Sequence, residues 1–81
     1  MEITVRLHDI LKDRVISQYP EARGSFILEL PEEAKVRDLA CSLGLSDQHI
    51  GLIVINGSQA KLGESLNRGD RVELFSPMSG G

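Results

Sequence analysis

Three stretches of the chain alternate between apolar and polar residues, which is the pattern of a strand with one buried face. They span residues 2–8, 25–30 and 71–76. Residues 52–55 are apolar throughout, which predicts a strand that is buried on both faces and therefore central in its sheet. Residues 59–62 are expected to add a short edge strand.

Two connections between these strands have the spacing of an amphipathic helix. Residues 36–43 predict the main helix, and Gly44 follows in a position suited to its end. The apolar stripe of this helix consists of Val36, Leu39, Ala40 and Leu43. Residues 9–24 are too many for a hairpin turn and predict a short helix capped by Asp9. Its expected stripe consists of Ile10, Leu11, Val15 and Ile16.

The order of the predicted elements favours an α+β fold. A mixed sheet of four or five strands would curl over the one main helix, with the short helix in the first connection. The first and last strands are expected to lie side by side and parallel. We therefore predict one folded domain over residues 1–76 and a flexible C-terminal tail over residues 77–81.

Composition narrows the class of protein. The chain has 81 residues, a net charge of −3 and a pI near 5.2, with scattered basic residues, which argues against nucleic acid as a partner. A single cysteine forms no internal disulfide. No apolar run approaches the roughly 20 residues that span a bilayer, and the first residues do not resemble a signal peptide. We expect a cytoplasmic domain without a membrane partner.

The last five residues are the candidate site of a chemical reaction. Pro77 has no N–H for a sheet ladder, so we expect it to end the last strand. Gly80 and Gly81 end the sequence. Without a Cβ they could enter a narrow channel and leave the terminal carbonyl open to attack. These features suit a carboxylate at Gly81 that another enzyme activates, with the tail threaded into that enzyme. The threading residues would be Pro77, Met78, Ser79 and Gly80.

Residues 66–81, which end in Ser79-Gly80-Gly81, resemble the C-terminal signature of the MoaD/ThiS sulfur-carrier family. Residues 30–39 resemble the strand-to-helix junction of the same family. The resemblance implies the ubiquitin-like β-grasp fold. It also implies that a ubiquitin-activating-type adenylyltransferase uses ATP and Mg to adenylate Gly81, which then becomes a thiocarboxylate. The chain itself would bind no cofactor and would not be catalytic alone.

Two features resemble the molybdopterin-synthase branch of the family: the long first connection and Phe75-Ser76-Pro77. This resemblance implies that the sulfur passes to the large subunit of molybdopterin synthase, for molybdenum cofactor biosynthesis. A thiamine-type carrier that serves a thiazole synthase is an alternative. A ubiquitin-like modifier joined to lysines is another, and a β-grasp binding module with an inert tail is a third.

The alternation of side chains along a strand predicts which face of the sheet contacts a partner protein. If Val72 and Leu74 face the core, Phe75 faces the other way beside the tail, and Ile27 has the same outward parity. We predict that Phe75 and Ile27 contact the partner. Cys41 is interpreted as a structural residue, because no nearby pattern supplies a base. His8 and His49 are too few for a metal site, since zinc typically takes four ligands.

Overall fold

The computed structural model describes residues 1–77; Met78, Ser79, Gly80 and Gly81 lie outside the described residues. The elements in chain order are β1 (Glu2–Leu7), α1 (Ile10–Ile16), a 3-10 turn (Pro20–Arg23), β2 (Phe26–Glu29), α2 (Val36–Ser42), a second 3-10 turn (Asp47–His49), β3 (Leu52–Ile55), β4 (Ser58–Ala60) and β5 (Arg71–Phe75). Both helices are seven residues long.

The five strands form one sheet in the order β2-β1-β5-β3-β4. β1 and β5, the first and last strands, are parallel neighbours, and the other neighbours are antiparallel. This mixed sheet with two helices confirms the predicted α+β fold. It also places the end of β5, and with it the root of the tail, in the middle of the sheet.

The core lies between one face of the sheet and the helices. Ile3, Val5 and Leu7 alternate into it from β1, as predicted. The stripe of α2 is buried along its whole length, and Gly44 follows the helix with a φ of +75°, a conformation that favours glycine. Asp38 accepts a hydrogen bond from the Lys35 N–H (2.8 Å), so the first turn has a capping contact although Lys35 carries no acceptor.

The helix α1 differs from its prediction in two ways. Asp9 occupies the residue before the helix, but its side chain makes no capping hydrogen bond. Its φ of +58° and ψ of −140° lie outside the extended region that capping residues usually adopt. Of the four predicted stripe residues only Leu11 and Val15 are fully buried, and Ile10 is 55% exposed. A two-turn helix on this edge of the core buries one narrow line of side chains.

The prediction that β3 is central and buried on both faces is wrong. β5 is the central strand, and β3 lies between β5 and β4. Ile53 is buried, whereas Leu52 is exposed on the opposite face. A continuous apolar run is compatible with two buried faces, and equally with one buried face and one open apolar face. The second case holds here.

The turn between β3 and β4 and the loop over residues 67–70 fix the start of β5. Asn56 and Gly57 have φ values of +51° and +86° and connect β3 to β4, as expected for Asn-Gly in a tight hairpin. The Asn56 amide donates to the buried Asp70 carboxylate (2.9 Å), and the Arg71 N–H donates to the Asn56 side-chain oxygen (2.9 Å). Asp70 also accepts from the Asn67 N–H (2.8 Å). These bonds tie the beginning of β5 to the β3–β4 hairpin.

Candidate functional site

The root of the tail is the point where β5 leaves the sheet. Phe75 is the last residue of β5 and lies opposite Leu52 in β3. Its carbonyl accepts a hydrogen bond from the Gly51 N–H (2.8 Å). Pro77 follows at an exposed position and continues no strand, as predicted. The chain therefore reaches the surface at the last residue that the structure describes.

Gly51 lies directly against this root. A Cβ built on Gly51 would stand 2.4 Å from the Pro77 Cα, 2.8 Å from the Pro77 nitrogen and 2.9 Å from the Ser76 carbonyl oxygen. All three are backbone atoms, so no side-chain rotation would relieve the overlap. No local sequence pattern relates residues 51 and 77, so this contact is visible only in the structure.

A shallow groove of about 530 Å³ runs beside the tail root. Its apolar wall is formed by Leu52, Phe75 and Pro77, and its remaining lining by Asp9, Gly51 and Ser76. We call these six residues the tail-root groove. Leu52 and Phe75 are cross-strand partners, so their side chains share the open face of the sheet. The groove is an apolar surface beside the tail root that a partner could cover.

His8 forms one support of Phe75. The two rings are stacked, with centroids 4.1 Å apart and planes 5° apart. The His8 Nε2 lies 2.9 Å from the Glu73 Oε1, and the His8 N–H donates to the Leu74 carbonyl (3.0 Å). His8 thus contacts Phe75 from the position directly after β1. The alternation over residues 2–8 is compatible with this outward position of His8, but its pairing with Phe75 depends on the parallel register of β1 and β5.

Ile27 shares the open face with Phe75 but not the tail-root groove. It is 63% exposed and pairs with Thr4, which itself pairs with Arg71. Strand spacing and rise place it roughly 16 Å from Phe75. Polar side chains, among them Arg6 and Glu73, lie between the two. The structure therefore places both predicted docking residues on one face without joining them into a single apolar patch.

The N-terminus has its own charge cluster at the other end of β1. The Met1 amine donates to the Leu30 carbonyl and lies 2.9 Å from a Glu29 carboxylate oxygen and 3.4 Å from one of Glu32. The hydrogen bond to Glu29 is the main reason that the pKa of this amine is raised above its ordinary value of 8.0. The cluster links the start of β1 to the end of β2 and lies away from the tail root.

Other candidates take no part in this site. Cys41 is exposed on α2. Among residues 1–77 no three His, Cys, Asp or Glu side chains are grouped so that they could hold a metal ion. Over the same residues, no helix has the length and apolar character needed to cross a membrane. The tail residues Met78, Ser79, Gly80 and Gly81 lie outside the described part, so their predicted roles stay predictions.

Comparisons with known proteins agree with this architecture. The model of the ThiS family matches residues 14–81. SAMP1 from Haloferax volcanii shares 26% identity over the whole of both chains, with a TM-score of 0.67. The HVO 2177 protein of the same organism shares 24% identity over all of this chain and 87% of its own, with a TM-score of 0.75.

A third structure is the complex of subunits 1 and 2 of the molybdopterin-converting factor from Helicobacter pylori. The matching chain shares 20% identity over the whole of both chains, with a TM-score of 0.61. At this identity the likeness establishes the fold. Comparison of the sequence with curated proteins gives no match.

Proposed function

The chain belongs to the ThiS family, and from that premise we propose that it is a sulfur carrier for molybdopterin biosynthesis. Without regard to the pathway, the family match and the SAMP1 likeness support a sulfur carrier or a ubiquitin-like modifier. One observation carries the proposal. The central strand β5 delivers the chain to the surface at Pro77, beside an apolar groove, four residues before the sequence ends in Gly80-Gly81.

The proposed chemistry takes place at the carboxylate of Gly81, in the active site of an adenylyltransferase that supplies ATP and Mg. A carboxylate oxygen attacks the α-phosphorus of ATP, the bond to the β-phosphate breaks, and pyrophosphate leaves. Hydrosulfide, delivered by a sulfur donor, then attacks the acyl carbon. AMP leaves with the electrons of the acyl–oxygen bond, and a proton passes to solvent. The product is a thiocarboxylate, and no oxidant or reductant is consumed.

The geometry of the tail root favours such a transfer. Ordering the tail beyond Pro77 inside a partner would cost roughly 1–2 kcal/mol per residue in backbone entropy. A partner that covers the tail-root groove gains apolar contact with Leu52 and Phe75, which offsets part of this cost. Pro77 restricts the chain further, because its ring fixes φ. The protein would contribute docking and presentation, and the partner would contribute catalysis.

The molybdopterin branch is supported by the first connection, which forms α1 and a 3-10 turn rather than a tight turn. Phe75-Ser76-Pro77 supports the same branch by its resemblance to the molybdopterin-synthase small subunits. The partner that takes the sulfur would be the large subunit of molybdopterin synthase. A thiazole synthase is the alternative recipient if the chain serves thiamine synthesis.

A ubiquitin-like modifier is the second candidate function. The observation that favours it is the 26% identity with SAMP1 over the whole of both chains, since a further structure of that protein is described as a small archaeal modifier protein. In this function a lysine amine of a target protein would attack the activated Gly81 carbonyl. An isopeptide bond would form and the activating group would leave.

The first step is tested by ATP–pyrophosphate exchange with the adenylyltransferase from the same cell. We expect exchange that depends on the chain and is lost when Gly81 is deleted. Exchange that is absent, or that survives the deletion, would contradict the proposal. Tryptic digestion of the cell's proteins tests the second candidate, because cleavage at Arg71 would leave residues 72–81 attached to target lysines.

A further inference from the structure

We propose that Gly51 is a positioning residue that sets the direction in which the chain beyond Pro77 leaves the domain. The expected effect of Gly51 on the kinetics of adenylation rests on the proposed function, because that effect concerns the delivery of Gly81 to an adenylyltransferase. The observation behind it is the close approach of the Gly51 Cα to the backbone of Ser76 and Pro77.

The tail root is held at two successive points by the same residue. The Gly51 N–H holds the Phe75 carbonyl at 2.8 Å, and the Cα of Gly51 lies against Pro77 two residues later. A single hydrogen bond at the end of β5 would let the chain pivot. The second contact removes that freedom, and the fixed φ of Pro77 carries the direction onward. The path of the chain is therefore defined as far as Pro77.

Glycine is required at position 51 by space rather than by backbone conformation. The glycines with positive φ in residues 1–77 are Gly44, Gly57 and Gly69, so Gly51 has a backbone that alanine could also adopt. Alanine at 51 would nevertheless bring its Cβ within 2.4 Å of the Pro77 Cα. The Pro77 Cα belongs to the main chain and the new Cβ would be fixed to it, so the backbones of residue 51 and Pro77 would have to move apart.

Two other glycines provide matched controls. Gly24 and Gly63 also lack a positive φ, and a Cβ on either would have no heavy atom within 4 Å beyond its own residue and the two chain neighbours. Gly51→Ala, Gly24→Ala and Gly63→Ala thus add the same methyl group, and they differ in whether it meets the tail root. Any general effect of replacing glycine by alanine on the unfolded chain appears in all three variants.

The first measurement is the nuclear Overhauser contact between the α-protons of Gly51 and Pro77. We expect this contact in the wild type, in Gly24→Ala and in Gly63→Ala, and its loss in Gly51→Ala. If the wild type lacks the contact, or Gly51→Ala keeps it, the inference is overturned. The wild-type result is decisive even if Gly51→Ala does not fold.

The second measurement is the kinetics of Gly81 adenylation. In Gly51→Ala we expect kcat to fall about 10- to 100-fold, the size of effect that a misplacement near 1 Å produces, with KM for the chain little changed. A kcat equal to that of Gly63→Ala, or a rise in KM alone, would overturn the positioning role. If no adenylyltransferase acts on the wild type, the proposed function fails, and the Overhauser contact alone decides the inference.

Discussion

The imidazole of His8 lies flat against the ring of Phe75, with 4.1 Å between centroids and 5° between planes. His8 directly follows β1 and Phe75 ends β5, so the stack joins the two parallel strands at the edge from which the tail departs. The Phe75 side chain is thus supported by the ring of the residue that follows β1, and it lies opposite Leu52 of β3.

The stack should contribute measurable coupling to stability. In a cycle of His8→Ala, Phe75→Ala and the double variant, urea unfolding should give a coupling free energy of about 0.5–1.5 kcal/mol. A second cycle that pairs His8→Ala with Ile27→Ala is the control, because these side chains do not touch and their effects should add. Equal coupling in both cycles would show that the stack contributes nothing specific.

Phe75 should dominate binding to the partner. We expect Phe75→Ala to weaken the affinity for the adenylyltransferase by at least tenfold, since it removes the largest side chain of the tail-root groove. Ile27→Ala should have a smaller effect. An interface that buries about 800 Å² on each side can include both residues, with Ile27 toward its rim. Calorimetric titration would measure both affinities, and a larger loss for Ile27→Ala would place the centre of docking on β2.

Leu39 should be essential to the core. It is fully buried on α2, so Leu39→Ala is expected to lower the free energy of unfolding by about 2–5 kcal/mol. The free energy of unfolding of the whole domain is expected to be only about 4–12 kcal/mol. Ile10→Ala is a control on the other helix, because Ile10 is largely exposed and should change stability little. Similar losses in the two variants, measured by urea unfolding, would contradict this assignment of the core.

The Met1 amine should make stability depend on pH in alkaline solution. Its pKa is raised in the folded state, mainly by the hydrogen bond to Glu29, so the folded chain holds this proton more tightly than the unfolded chain. The stabilisation is complete below the unfolded pKa near 8 and is lost as the pH rises through the folded pKa.

Glu29→Gln should weaken this dependence, because a neutral amide favours the protonated amine less than a carboxylate does. Unfolding free energies of the two proteins, measured from neutral to alkaline pH, should therefore converge above pH 8. Parallel profiles over the whole range would show that the ion pair with Glu29 does not act on stability.

Local patterns predicted most of the elements, for reasons visible in single residues. The period-two alternation of β1 and the helical spacing of Val36, Leu39 and Ala40 are direct consequences of one buried face. Asn56 and Gly57 both take positive φ, the conformation that a tight Asn-Gly hairpin turn requires. The burial of β3 does not follow from its sequence, because four apolar residues in a row do not indicate which face is open.

The candidate site was predicted only in part, since its contacts join distant segments. Phe75 was identified from its parity on β5. Its support by His8 needed the parallel register of β1 and β5, and the role of Gly51 needed the path of the chain across the start of β3. Neither follows from a pattern in one stretch of sequence. Ile27 had the right parity, but the polar residues between it and Phe75 emerged only from strand order.

The central claim is that Gly81 carries sulfur, and the intact mass of the chain tests it most directly. The chain would be incubated with its adenylyltransferase, ATP, Mg and a sulfide source, beside a variant that lacks Gly81. We predict that the full chain gains the mass difference of one oxygen replaced by sulfur, and that the shortened variant keeps its mass. An unchanged full-length mass, under conditions in which pyrophosphate exchange proceeds, would contradict the claim.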